Sequence, residues 1–160
     1  MKRSLIKNIF KRKKVADGTI FTMIIVFFII MFSVTIGEYY RIHILQEEIE
    51  YQLQRSVNCA VEYAMGDAYR QDKIINLDVT EAKRQFLIYI LNDTGLDTSY
   101  RKIKNGKTEY RLHFTAINGS SNPAILSVTG YAEAYSWFTF LSGKMIKIPF
   151  TISSTNFRLD

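Results

Sequence analysis

Hydrophobic positions along the 160-residue chain fall into three regimes. From Thr19 to Gly37 the run is Ile, Phe, Val and Met, with Thr and Ser as its polar members. Beyond Gly37, apolar residues recur in steps of three and four at Ile42, Leu45, Ile49, Leu53, Val57, Cys59 or Ala60, Val61, Ala64 and Ala68. Glu47, Glu48, Gln54, Arg55 and Glu62 mark the opposite side, so this is one amphipathic helical face. After Gly95 the period changes to two, the mark of half-buried strands.

Each regime predicts elements. Nineteen helical residues span ~28 Å, close to the hydrocarbon thickness of a bilayer. In lipid the backbone must satisfy its own hydrogen bonds, which makes helix the single-segment solution despite the β-branched content. Thr and Ser hydroxyls can bond back to helix carbonyls. No proline lies between Gly37 and Arg70, so the helix is expected to continue to about residue 71, for about fifty residues or ~75 Å in all. Repeated steps of four (45, 49, 53, 57, 61) favour packing on a domain over a two-stranded zipper, whose seam needs a period of 3.5. A second helix follows in "NLDVTEAKRQFLIYILNDTG". Asp78 is its N-cap, Glu81 completes a capping-box pattern, and Val79, Ala82, Phe86, Tyr89 and Ile90 line one face. Asn105-Gly106 marks a hairpin turn. Tyr110, Leu112, Phe114 and Ala116 alternate with Glu109, Arg111, His113 and Thr115. "NGSSNP" (118–123) is a turn cluster, and "AILSVTGYAEAYSWFTFL" reads as a longer strand with Gly130 at a bulge. Ser142-Gly143-Lys144 turns the chain into a last strand carrying Ile146, Ile148, Phe150 and Ile152 on one face. Pro149 on the other face implies an edge position or a bulge.

Helices followed by strands mean an α+β fold, a long helix packed on a small antiparallel sheet with a second short helix beside it. The segments expected are residues 1–18, a basic leader; 19–37, a transmembrane helix; 38–71, its extracytoplasmic continuation; and 72–160, a small α+β domain.

Charge then fixes direction. Lys2, Arg3, Lys7, Lys11, Arg12, Lys13 and Lys14 precede the apolar run, and Asp17 is the one acid before Glu38. The net +6 therefore belongs to the leader, and the remainder balances at fourteen bases and fourteen acids. Positive residues stay cytoplasmic, which places residues 38–160 outside. The balanced remainder offers no excess of base for phosphates, which argues against nucleic acid as a partner. Tyr39 and Tyr40 sit where an interfacial aromatic belt belongs, between Glu38 and an Arg41 within reach of headgroup phosphates. The apolar run exceeds the h-region of a secretory signal, and "TIGEYY" offers no small-x-small cleavage site, so an uncut anchor is expected.

Candidate chemistry is sparse. The sequence contains no nucleophile elbow, phosphate loop, HExxH or paired-carboxylate motif, so no catalytic, metal or cofactor site is assigned. Cys59 is the one cysteine, which excludes an intrachain disulfide and a thiolate cluster. His43 and His113 have no motif context. Tyr131, Tyr135 and Trp137 could make an aromatic sugar platform, a reading that no other feature of the sequence supports.

In order, the chain shows a basic leader "KRSLIKNIFKRKK", Gly18 at the start of the apolar helix, "GEYYR" at its end, the small-residue helix "LQRSVNCAVEYA", and a strand-rich C-terminus finishing "TISSTNFRLD". This series resembles the TadE-like minor pilins and related type IV pilin-like proteins of tight-adherence systems. The resemblance covers most of the chain in short, degenerate pieces. It implies a pilin-like structural or assembly component of a bacterial pilus or secretion apparatus, with other pilin-like subunits, an assembly platform and a prepilin peptidase as partners. It also implies cleavage between Gly18 and Thr19. The fifth residue after that cut is Met23, where the family carries Glu, so the family's charge pairing within lipid has no counterpart here. The alternative expectation is a membrane-anchored extracytoplasmic ligand-binding or sensor module.

Overall fold

The fold is described from a computed structural model of the chain, covering residues 2–65, 76–139 and 143–154, with side chains from Gly18 onward. The chain forms two compact units, Met1–Arg41 and Ile42–Asp160. One helix, α1 (Lys2–Met65), supplies the first unit and the first element of the second. The expected extension of this helix to residue 71, with Gly66, Ala68 and Arg70, lies outside the described residues.

Within the second unit the order is α1, then α2 (Val79–Thr94), β1 (Arg101–Lys104), β2 (Lys107–Ser120), β3 (Ile125–Ala134) and β4 (Ile146–Ser153). The four strands form one antiparallel sheet in the order β1-β2-β3-β4. This is the α+β arrangement the sequence predicts. Leu45, Ile49, Leu53, Val57, Ala60 and Val61 are buried, and Ile42 and Ala64 pack half-buried beside them. The stripe in steps of four is therefore the core face of α1, each Leu, Ile or Val contributing about 1.5–3 kcal/mol by burial. It meets Ala82, Phe86 and Ile90 of α2 and the inner residues of the sheet in a single core. Phe86 stands edge-on to Phe114, and Phe114 to Tyr100 and Phe150. Two polar contacts tie α1 to the sheet: the Tyr110 hydroxyl donates to Gln52 Oε1 at 3.2 Å, and Gln54 Nε2 donates to the Ser153 carbonyl at 2.8 Å. Gln54, expected on the solvent side, is thus half-buried. Burial pushes the Tyr110 phenol above its ordinary pKa.

Helix α2 starts as expected and differs in one detail. Asp78 caps it, its Oδ1 accepting from the Thr80 and Glu81 amides at 3.0 Å each. The reciprocal half of the capping box is absent, because Glu81 turns to Arg84 and Gln85 and the Asp78 amide bonds the Ala64 carbonyl. Asp78→Ala is expected to cost about 1 kcal/mol, read as a lower urea midpoint with an unchanged slope. The bonds from Arg84, then Gln85, hold the Glu81 carboxyl down to about 2 from 4.5. A depressed carboxyl contributes stability above its unfolded pKa and loses it as pH falls through the folded one. The difference in thermal midpoint between the parent chain and Glu81→Gln is therefore expected to hold from neutral pH down to about 4.5 and to close towards pH 2. At the far end Gly95 takes the left-handed C-cap (φ +64), and Lys102 Nζ donates to the Thr94 carbonyl.

The sheet departs from simple alternation at two places, a register shift between Lys102 and Ile103 in the β1–β2 pair and a second in the β2–β3 pair. Asn105 and Gly106 make the β1–β2 turn with positive φ at both, 52° and 74°, the pattern of a type I′ hairpin. Tyr110, Leu112 and Phe114 face the core, but the β2–β3 register shifts between Phe114 and Ala116. Thr115 is the extra residue, so Ala116 pairs with Thr129 on the outer face rather than following Phe114 inward, and Ile117 takes the inner position. The bulge expected at Gly130 thus lies on the strand opposite it. β2 also continues through Ser120, which shortens the predicted turn cluster to residues 121–124. β3 ends at Ala134, earlier than expected, because Ser136 begins a hydroxyl-anchored turn. Pro149 lies on an edge strand, as predicted. Ser142 of the expected turn and residues 155–158 of the expected last strand lie outside the described residues.

Candidate membrane segment and polar face

Helix Gly18–Met65 is long and apolar enough to cross a membrane, and none of its apolar window is buried within the chain. Its polar members are satisfied locally: the hydroxyls of Thr22, Ser33 and Thr35 donate to the carbonyls of Gly18, Ile29 and Met31 at 2.9, 2.8 and 2.9 Å. Each bond spans four residues and removes a donor that hydrocarbon would leave unpaired. The segment therefore offers its surroundings an apolar exterior, with Ile25, Phe28 and Phe32 among the exposed side chains.

The four residues expected at the interface are consecutive on α1. Arg41 grips Glu38 through two parallel bonds, Nε to Oε2 at 2.9 Å and Nη2 to Oε1 at 2.8 Å. Glu38 is 5% exposed. A bidentate pair presents little net charge, which lowers the cost of ending an apolar helix with two ionised groups. Arg41, expected to reach phosphates, thus has an intrahelical partner, and the opposite charges three apart were the signal for it. Tyr39 and Tyr40 are both exposed and stand edge-on, with ring centroids 6.0 Å apart. The side chains of the basic leader lie outside the described residues.

The implied cleavage point, Gly18-Thr19, lies within α1, and the Gly18 carbonyl accepts the Thr22 hydroxyl. A β-carbon at Gly18 would meet nothing within 4 Å, so no packing demands glycine there. A peptidase that takes an extended backbone must unwind this turn first. Met23 is 70% exposed on the same segment.

Sequence reading missed a polar cluster on the outer face of the sheet. His113 stacks on Tyr131, centroids 4.9 Å apart at 14°, and its Nε2 lies 3.1 Å from Glu133 Oε2. Lys147 Nζ sits 4.6 Å from the Tyr131 ring centroid and 3.7 Å from Glu133 Oε1. These residues are cross-strand partners (His113 with Tyr131, Glu133 with Lys147), so the cluster ties β2, β3 and β4 together. It becomes visible once the register is known. Tyr131 is thereby engaged with His113, whereas Tyr135 and Trp137 lie beyond the end of β3. A cleft of about 520 Å³ opens beside β2, lined by Leu87, Tyr100, Arg111, His113, Phe114 and Ile117 among others. Cys59 is half-buried. Among the described residues no group of three or more His, Cys, Asp and Glu is placed to hold a metal ion. No family model matches this chain, and no curated protein or solved structure is significantly similar to it.

Proposed function

We propose that this chain is a single-pass membrane protein of TadE-like, pilin-like character, a structural or assembly component of a bacterial tight-adherence or type IV-like pilus or secretion apparatus. Its leader is cytoplasmic and the unit Ile42–Asp160 is extracytoplasmic, the direction given by the clustered positive charge before the apolar run. The observation that carries this reading is the double use of α1. One stretch of it is an apolar, self-satisfied helix with no buried residue, and the next forms the core of a folded unit. An apolar helix leaves lipid readily only for an equally apolar bundle of like helices, which a pilus core or assembly platform provides. The role needs no catalytic step. Other pilin-like subunits are its partners, and a prepilin peptidase acts on it if Gly18-Thr19 is cut.

The deciding experiment is N-terminal sequencing of the mature protein, with cross-linking of whole cells. Thr19 as first residue, together with ladders of cross-linked subunits, is the expected result for a pilin. Met1 with no cross-linked subunit would remove the pilus reading and leave an anchored module. The second reading, a membrane-anchored ligand-binding module, is supported by the cleft beside β2, where Arg111 and His113 border Phe114 and Tyr100. Chemical-shift changes confined to that lining, on titration with a small-molecule library, would favour it.

A further inference from the structure

The two outermost strands of the sheet are guarded against further pairing. β1 is four residues long, and three of them are basic. At the other side of the sheet the Ser154 amide donates to the Leu126 carbonyl at 2.9 Å, so the even-numbered residues of β4 face β3 and the odd-numbered ones face outward. On that outward edge Pro149 has no amide hydrogen to offer, and the Ser153 carbonyl accepts from Gln54 Nε2 at 2.8 Å. Short length, basic residues and proline are the devices that keep an edge from taking another strand.

β2 carries none of them along most of its length. β3 pairs with it from Tyr110 to Ser120, whereas β1 covers its other side only from Lys107 to Arg111. The Leu112 amide still donates to the Tyr100 carbonyl at 2.9 Å, and past the strand's end the Leu77 amide donates to the Ser121 carbonyl. Between these two bonds no described residue pairs with the β1 side of residues 113–120. The stretch reads "HFTAINGS", without proline, lysine, arginine or an acid. The ladder gives its direction. Leu112 faces the β1 side, so Phe114 does too. Leu126 faces β4, so Gly119 opposite it, and Ile117 opposite Val128, point away from β3. Phe114, Ile117 and Gly119 therefore turn their amides and carbonyls to the open side.

The opening is built by its surroundings. Tyr100 turns the chain away from β2 in the left-handed conformation, φ 57°, which a tyrosine rarely adopts. Its ring stands edge-on to Phe114, centroids 5.3 Å apart. Backbone strain of this kind gathers at sites where geometry is used. The cleft of about 520 Å³ lies along the same edge, with Leu87, Tyr100, Phe114 and Ile117 as apolar lining and Arg111 and His113 beside them. Arg111 is the cross-strand partner of Arg101, whose guanidinium Asp97 holds at 2.8 Å. Among the described residues Arg111 has no ion-pair partner of its own.

We infer that the open edge of β2 is a docking site for one extended segment of a partner polypeptide, added as a further strand beside residues 113–120. Its backbone bonds Phe114, Ile117 and Gly119, and alternate apolar side chains enter the cleft between Leu87 and Phe114. A carboxylate at its Tyr100 end meets Arg111. Main-chain bonds supply the affinity, and the alternating side chains and the one charge supply the selection. The inference goes beyond both readings above and rests on the sheet alone, so it stands or falls separately from them.

The test uses the full isotope-labelled chain in detergent micelles. The probes are two capped heptapeptides of alternating valine and threonine, one beginning and the other ending with glutamate. Amide exchange at Phe114, Ile117 and Gly119, followed by nuclear magnetic resonance, is expected to be fast in the free chain and to slow about tenfold with one of the peptides. The Leu112 amide, already bonded to Tyr100, is the unchanging control. N-methylation of that peptide at the residues facing the edge is expected to abolish the slowing. Arg111→Gln is expected to weaken the glutamate peptide about fivefold and to leave its glutamine counterpart unaffected. Slow exchange of the three amides in the free chain at every concentration would overturn the site, because the chain itself then covers the edge. Protection that grows with chain concentration would overturn it in favour of a second copy as occupant. Fast exchange that neither peptide slows at millimolar concentration would overturn it outright, and equal weakening of both end residues by Arg111→Gln would overturn the role of the charge.

Discussion

Gly130→Ala is expected to lower the stability of the unit Ile42–Asp160 by about 3 kcal/mol, a loss normally reserved for large core truncations. An added β-carbon would stand 2.2 Å from the His113 carbonyl oxygen and 2.8 Å from Phe150 Cζ. The first contact decides the outcome, since a backbone carbonyl in the middle of a ladder has no rotamer by which to withdraw. Gly130 lies opposite Phe114, where the Thr115 bulge brings β2 and β3 unusually close, so relief requires moving a strand. Gly119→Ala provides the comparison. There the closest contact, 2.7 Å, is to Val79 Cγ1, a half-buried side chain at the start of α2 that can shift, and about 1 kcal/mol is expected. Urea unfolding of the full chain in detergent, followed by near-ultraviolet dichroism, measures both. Adding Phe150→Leu to Gly130→Ala relieves only the ring contact and is expected to recover little. A loss below about 1 kcal/mol for Gly130→Ala would mean that the two strands are not pressed together at this residue.

The same bulge marks where sequence reading stopped. Positions governed by local rules were legible. The steps of four from Leu45 to Val61 follow from helical geometry, the cap at Asp78 from an orphan amide's need for an acceptor, and the turn at Asn105-Gly106 from the left-handed φ it requires. Pro149 could be assigned to an edge because a missing amide hydrogen forbids a central place. Ala116 lies on the face opposite to the one simple alternation gives it, because nothing in "YRLHFTAI" announces that Thr115 is the extra residue; the bulge is set by how β2 meets β3. Tyr135 to Leu141 continue the apolar character of β3, yet the strand ends at Ala134 because the Ser136 hydroxyl and the Thr139 side chain offer the backbone a turn. The cluster of His113, Tyr131, Glu133 and Lys147 was hidden for a related reason, since its members are up to thirty-four residues apart and only the register makes them neighbours. In the apolar segment the length is plain from sequence, whereas the Glu38–Arg41 pair reads there as two separate charges.

Replacing Phe28 and Ile29 together by Asp is expected to release the chain from membranes while leaving its folded unit intact. The two sites lie at the middle of the apolar run, where each ionised carboxylate adds about 2.5–3.5 kcal/mol to the free energy of insertion and each lost apolar side chain removes a further few tenths. Together these exceed 5 kcal/mol, a shift of more than about a thousandfold in partition, with no neighbouring cation in the segment to offset it. Phe28 and Ile29 are 67% and 60% exposed and belong to no core, so the same substitutions remove nothing that holds α2 and the sheet together. Thr22→Val tests the converse. It deletes a hydroxyl already bonded to the Gly18 carbonyl and adds a methyl group, so membrane retention is expected to be unchanged or stronger. Flotation of each variant with vesicles, paired with its resistance to trypsin, separates a released folded chain from an aggregated one. If the double variant floats like the parent and is equally resistant, the run from Thr19 to Gly37 is not what holds the protein to the bilayer. The pilin-like proposal would lose its foundation, because a subunit drawn from lipid into a helical bundle must first reside in lipid through this same surface.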